Sequence, residues 1–158
     1  MSSISTCLWF DGQAQEAAEF YTSVVKNSRI TAVVPYGEAG PGPEGSVMIV
    51  LFELDGQQFL GLNGGPEFTF SEAISVHVTC DSQEEIDHLW KALTDGGEEG
   101  PCGWLKDKYG LSWQIDSAEL HRMIISDDQE GAARATRAML ERKKIDVAAL
   151  REAFGGPA

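Results

Sequence analysis

Two stretches, residues 4–63 and 72–115, are diverged copies of one unit, and each opens with a strand that runs into an amphipathic helix. In the first, Ile4-Ser5-Thr6-Cys7-Leu8-Trp9-Phe10 leads through Asp11 to apolar residues at Ala17, Phe20, Tyr21 and Val24. In the second, Ile74-Ser75-Val76-His77-Val78-Thr79-Cys80 leads through Asp81 to Ile86, Leu89, Trp90 and Leu93. Both sets recur at i, i+3, i+4 and i+7, the stripe that one helix face needs. Gly12 accounts for the extra residue in the first copy, and Asp11 and Asp81 stand where an N-cap is expected, since a carboxylate accepts from the free amides of a first turn. A tandem strand–helix unit in so short a chain implies two half-domains that complete one core and share one cleft.

With 158 residues the chain is read as one domain, large enough to bury a sizeable core. Its longest apolar runs, such as Val47–Phe52, are strand-sized and far short of the roughly 20 residues a membrane span needs. No basic segment followed by an apolar one opens the sequence, so no signal peptide and no membrane partner are expected. Cys7, Cys80 and Cys102 lack zinc or redox spacing and suit a reducing, cytoplasmic location. A formal net charge of −13 repels a phosphate backbone, which excludes generic nucleic-acid binding.

After the first helix, Arg29–Pro35 reads as a strand and Tyr36–Gly45 as a glycine- and proline-rich loop. Ser46–Leu54 and Gln58–Asn63 form a hairpin around Asp55-Gly56. Residues 67–71 link the halves. In the second copy the helix stops at Gly96-Gly97, and Cys102–Lys106 and Leu111–Ile115 flank a turn at Asp107–Gly110. Little chain separates helix from last strand, so one strand there must be very short. Beyond Asp116 the sequence turns helical, over Ala118–Ile125, Glu130–Lys144 and a last helix capped by Asp146.

The last strand of the second copy alternates Leu111, Trp113 and Ile115 with Ser112, Gln114 and Asp116; its first strand alternates Val76 and Val78 with Ser75, His77 and Thr79. The polar sets line a wet cavity or an ordinary solvated face. His77 is the only histidine on an expected strand, with His88 and His121 on helices, and it is either a hydrogen-bonded structural residue or a ligand. A metal would need further His, Glu, Asp or Cys groups converging on it. Glu53, the only acidic residue well inside a strand, does not complete a set, so no metal or other cofactor is expected. No Gly-x-Ser-x-Gly and no phosphate-cradling loop occurs. Gly61-Leu62-Asn63-Gly64-Gly65 leads to Pro66 rather than to a helix. Cys102-Gly103-Trp104, ahead of the charged turn Lys106-Asp107-Lys108, makes Trp104 either a pocket wall or a structural aromatic.

Several segments in order resemble the PhnB-like proteins, a branch of the vicinal oxygen chelate (glyoxalase/bleomycin-resistance/dioxygenase) superfamily, many of which carry the label demethylubiquinone methyltransferase domain. They are Leu8-Trp9-Phe10-Asp11-Gly12-Gln13, Leu54-Asp55-Gly56-Gln57, Leu62-Asn63-Gly64-Gly65-Pro66, Cys102-Gly103-Trp104-Leu105-Lys106-Asp107 and Gly110-Leu111-Ser112-Trp113-Gln114-Ile115, and Lys144-Ile145-Asp146 in the tail is also typical. The resemblance implies an α+β fold of paired βαβββ modules curled around a cleft, carrying a C-terminal helical extension. The whole of 1–158 is then a single domain, with module one at about 4–66, module two at about 72–116 and the tail at about 117–158. Metalloenzymes of this superfamily hold a divalent ion through the first and last strands of the modules. By position, those ligands fall on Gln114, near Asn63, on Ser75 or His77, and among Ser5, Thr6, Cys7 and Leu8. That set lacks the usual His and Glu.

The expected function is metal-independent binding of a small apolar or aromatic molecule in the cleft between modules, through Asn63, His77, Trp104 and Gln114. Apolar walls with a few polar anchors are what ligand pockets usually offer. The alternative is a superfamily enzyme, a glyoxalase- or dioxygenase-like lyase or oxidoreductase, acting on a small oxygenated substrate. Methyltransferase activity is not expected, because no strand–glycine-loop–helix opening receives a methyl donor. The tail carries Leu120, Met123, Ile124, Met139, Leu140, Ile145, Val147, Leu150 and Phe154, more apolar surface than solvent-facing helices need. A homodimer with the tail in its interface is therefore expected.

Overall fold

The alternating head of the chain forms β1 (Thr6–Phe10), and the apolar stripe after it forms α1 (Ala14–Val24). β2 (Arg29–Pro35), β3 (Val47–Leu54) and β4 (Gln57–Asn63) follow. The sheet runs β1-β4-β3-β2, with β1 parallel to β4 and the other pairs antiparallel. Asp55 and Gly56 both take positive φ, 47° and 84°, as a two-residue turn with the twist of its flanking strands requires. Val50, Phe52 and Leu54 alternate into the core, where Phe52 stacks on Phe59 at 5.4 Å. α1 buries Ala14, Ala17, Ala18 and Tyr21. Its buried face is turned slightly from the expected stripe, leaving Phe20 and Val24 half-buried.

The second unit repeats this plan strand for strand. β5 (Val76–Cys80), α2 (Gln83–Thr94), β6 (Glu98–Glu99), β7 (Trp104–Lys106) and β8 (Ser112–Ser117) form a sheet of order β5-β8-β7-β6, again with the first and last strands parallel. β6, of 2 residues, is the very short strand that the spacing demands. α2 buries Ile86, Leu89, Trp90 and Leu93, as its periodicity predicts. The computed structural model describes residues 2–157, and its two units divide between Phe70 and Ser71. The α+β architecture of two βαβββ modules with C-terminal helices is thus present.

Neither expected aspartate caps its helix. The cap positions fall one and two residues later, at Ser82 and Gln13. In α2 the cap is Ser82, which accepts from the Glu85 amide, while the Glu85 carboxylate accepts from the Asp81 amide. The sequence Ser-x-x-Glu is that of a capping box, with the Glu85 carboxylate reaching the amide one residue ahead of the cap. In α1 Gln13 gives no side-chain cap, and Asn63 at the end of β4 accepts from the Ala14 amide instead.

Three helices complete the second unit: α3 (Ala118–Ile124), α4 (Gln129–Leu140) and α5 (Val147–Gly155). α4 ends four residues earlier than the composition suggests, because the following backbone docks on the β6–β7 turn. There the amides of Cys102 and Gly103 donate to the carbonyls of Arg142 and Lys143. Gly103 has φ +82°, and a Cβ on it would lie 2.6 Å from the Ile115 carbonyl oxygen, so only glycine fits. The Gln83 amide clasps the same segment, donating to the Ile145 carbonyl and accepting from the Val147 amide. Leu120, Met123, Ile145, Val147 and Leu150 are consequently buried within the chain itself. Of the expected apolar surplus, Ile124 and Leu140 stay exposed, as does Ile125. Among the described residues no helix is long and apolar enough to cross a membrane.

Candidate functional site

β8 sends Trp113 and Ile115 into the core and presents Ser112, Gln114 and Asp116 on the opposite face. Its register places Gln114 beside Trp104 on β7 and beside His77 on β5. Residues directly opposite in neighbouring strands share a face. Trp104, Gln114 and His77 therefore form one row across the second sheet. Trp104 and Gln114 are half-buried and His77 is exposed. The Gln114 amide donates to the Ser75 hydroxyl at 2.9 Å.

At the β6–β7 side of this row lies a pocket of about 420 Å³. Pro101, Trp104 and Leu105 wall it; Ser112, Glu98, Glu99 and the ion pair of Lys106 with Glu72 supply its polar groups. The Lys106 ammonium holds the Glu72 carboxyl below its usual range. Ser112 is 1% exposed, and its hydroxyl has no hydrogen-bond partner among the described residues. A buried hydroxyl without a partner costs free energy, so it is unusual in a surface that serves packing alone.

On the other side of the row, beyond Gln114, three side chains converge that periodicity does not bring together. The Asp116 carboxylate at the end of β8 accepts through one oxygen, Oδ2, from His77 Nε2 at 3.1 Å and from His121 Nε2 at 2.7 Å. Its other oxygen, Oδ1, accepts from the Ser117 amide at 2.7 Å. The two imidazoles stack with centroids 5.7 Å apart and planes 13° from parallel. Burial is the largest single influence on the Asp116 carboxyl and pushes its pKa up, but the Ser117 amide and the two histidines together outweigh it and hold the group below its usual range. Ser117 also caps α3, accepting from the amides of Glu119 and Leu120, and so fixes the helix turn that carries His121. Asp116 and His121 escape sequence reasoning because the strand–helix corner at Ser117 joins them, outside either period. The available signal was Asp116 sharing the alternation of Gln114.

Asn63, the fourth expected ligand residue, lies in the first unit. Its Oδ1 caps α1, its Nδ2 donates to the Val47 carbonyl, and its own carbonyl accepts from the Tyr36 hydroxyl. The neighbouring motif glycines serve Trp9, whose indole N–H donates to the Gly65 carbonyl and whose ring covers Gly64. The positions at which the resemblance implies a metal do not fit one. Asn63 has both ends of its amide engaged, Gln114 is bonded to Ser75, and β1 offers Thr6, Cys7 and Leu8.

A family profile described as 3-demethylubiquinone-9 3-methyltransferase matches residues 2–116. A solved structure described as a putative 3-demethylubiquinone-9 3-methyltransferase, PhnB protein, from Bacillus cereus is similar at 40% identity and TM-score 0.66, over 74% of this chain and 100% of that one. A protein from Pseudomonas aeruginosa matches in fold at 20% identity and TM-score 0.62, over 74% and 98%. The fosfomycin resistance protein FosX from Listeria monocytogenes matches in fold at 12% identity and TM-score 0.51, over 75% and 93%. No curated protein matches the chain.

Proposed function

The chain belongs to the PhnB-like family of the vicinal oxygen chelate superfamily, and on that premise we propose that it binds a small molecule, without needing a metal to do so, at the pocket against Trp104. The observation that carries this reading is the unpartnered, buried Ser112 hydroxyl beside an aromatic and apolar wall. A ligand with an aromatic or apolar body fits Trp104, Leu105 and Pro101, and one polar group satisfies Ser112. Gln114 and His77 continue the same row and are positioned to meet a polar extension of the ligand.

The test is native mass spectrometry of full-length protein purified with a chelator present. A co-purifying adduct of small-molecule mass that Trp104→Ala removes is the expected result. Protein free of adduct, and unresponsive in tryptophan fluorescence to a panel of small aromatic amphiphiles, overturns the reading. The methyltransferase activity named in the family description is no part of this proposal. In the enzymatic alternative, Gln114 and His77 orient a small oxygenated substrate, and product formed by chelated protein would favour it. The same proposal makes the molecule a cytoplasmic homodimer. The three cysteines, none of them in a disulfide, suit a reducing compartment, and exposed Ile125 and Leu140 offer apolar surface to a second copy.

A further inference from the structure

We propose that His77, Asp116 and His121 form a binding site for a divalent transition-metal ion, held by two imidazole nitrogens and one carboxylate oxygen. The three donor atoms come from β5, from the end of β8 and from α3, and all lie within 4.8 Å of one another. In a tetrahedral zinc site, bonds of about 2.0–2.2 Å place ligand atoms about 3.3–3.6 Å apart. The two nitrogen–oxygen separations, 3.1 and 2.7 Å, lie somewhat below that range. To admit an ion the imidazoles must open from the carboxylate while their nitrogens, already within 4.8 Å of each other, remain within bonding reach of the ion. The ion then replaces the protons that the two rings share with Asp116.

Donor chemistry narrows the class. Two imidazoles with one carboxylate suit zinc, nickel, cobalt, copper or ferrous iron rather than magnesium or calcium, which prefer oxygen. Three protein ligands leave at least one coordination position open. The side chains are 41%, 22% and 42% exposed for His77, Asp116 and His121, so an ion and a further ligand both have access. Preorganisation is also present. The Ser117 amide fixes Oδ1 of Asp116 and leaves Oδ2 aimed at the histidines, as an outer partner does for a metal-binding carboxylate.

This site shares only His77 with the positions that the resemblance implies; Asn63, Gln114 and β1 take no part in it. Its carboxylate lies one row past Gln114, and its second imidazole stands beyond residue 116, where the family match ends. It also stands independently of the Trp104 pocket, and either proposal survives the failure of the other.

The experiment is titration of chelator-stripped, full-length protein with Zn²⁺ by calorimetry, and with Co²⁺ by visible absorption. One ion per chain is expected, with a cobalt spectrum showing nitrogen and oxygen ligation. His77→Ala and His121→Ala should each weaken binding by about tenfold or more, because losing a ligand costs at least what losing an outer partner does. His88→Ala, on the exposed side of α2, should leave it unchanged. Circular dichroism confirms that the variants remain folded, and His121→Asn replaces His121→Ala if it does not. Absence of stoichiometric binding overturns the proposal and leaves the trio as a hydrogen-bonded clasp. Binding that survives both histidine variants overturns it equally.

Discussion

Asp107 shows how far a single residue can depart from its apparent character. In the sequence it sits between two lysines and reads as a charge in an exposed turn. In the structure it is 3% exposed, and its carboxylate accepts from the Tyr109 and Leu111 amides and from the Trp113 indole. Asp107→Ala leaves these donors without an acceptor and is expected to destabilise the fold by about 3 kcal/mol, as buried unsatisfied groups do. Asp107→Asn keeps one acceptor oxygen for the two turn amides but sets its NH2 against the Trp113 indole N–H, and should cost less than Asp107→Ala without being neutral. Urea unfolding measures both, and equal losses would show that the Trp113 bond, rather than the turn amides, carries the contribution of Asp107. The same limit governs the candidate site. Trp104, Gln114 and His77 were legible, because strand alternation determines which face each one occupies. Asp116 and His121 were not legible as a pair, since a corner with no periodicity brings them together.

Between elements, the readable features are those repeated along the chain. The stripe of α2 predicts its buried face, and the scarcity of residues before β7 predicts a strand as short as β6. Helix ends are set by tertiary partners and are therefore less legible. α1 takes its cap from Asn63, some fifty residues away, and the tail backbone leaves α4 to meet Cys102 and Gly103. Gln83 is the strongest such case, because one amide satisfies two tail backbone groups at once. Gln83→Ala should cost about 1–2 kcal/mol. Its effect should concentrate in faster hydrogen exchange of the first turn of α5. Uniform protection across α5 in that variant would show that Ile145 and Leu150 hold the tail without the clasp.

For the whole molecule, the proposed dimer must be built from less surface than the sequence advertised, because the tail covers its own unit. A chain cut after Asp116 would lose the burial supplied by Leu120 and Ile145 and is expected to lose cooperative unfolding, so truncation is a poor probe of assembly. Sedimentation of the full chain at micromolar concentration should show a dimer, weakened by Ile125→Glu or Leu140→Glu; a monomer removes the proposal, and an unaffected dimer moves its interface elsewhere. The strand order carries a different consequence, for synthesis. In each unit the first strand pairs only with the last, β1 with β4 and β5 with β8. On a ribosome adding about 5–20 residues per second, β1 waits several seconds for its neighbour, and β5 then waits in turn. An apolar strand such as Cys7-Leu8-Trp9-Phe10 is meanwhile open to other nascent chains, so the duplication that built this fold also doubles the exposure of its making to chaperones and to aggregation.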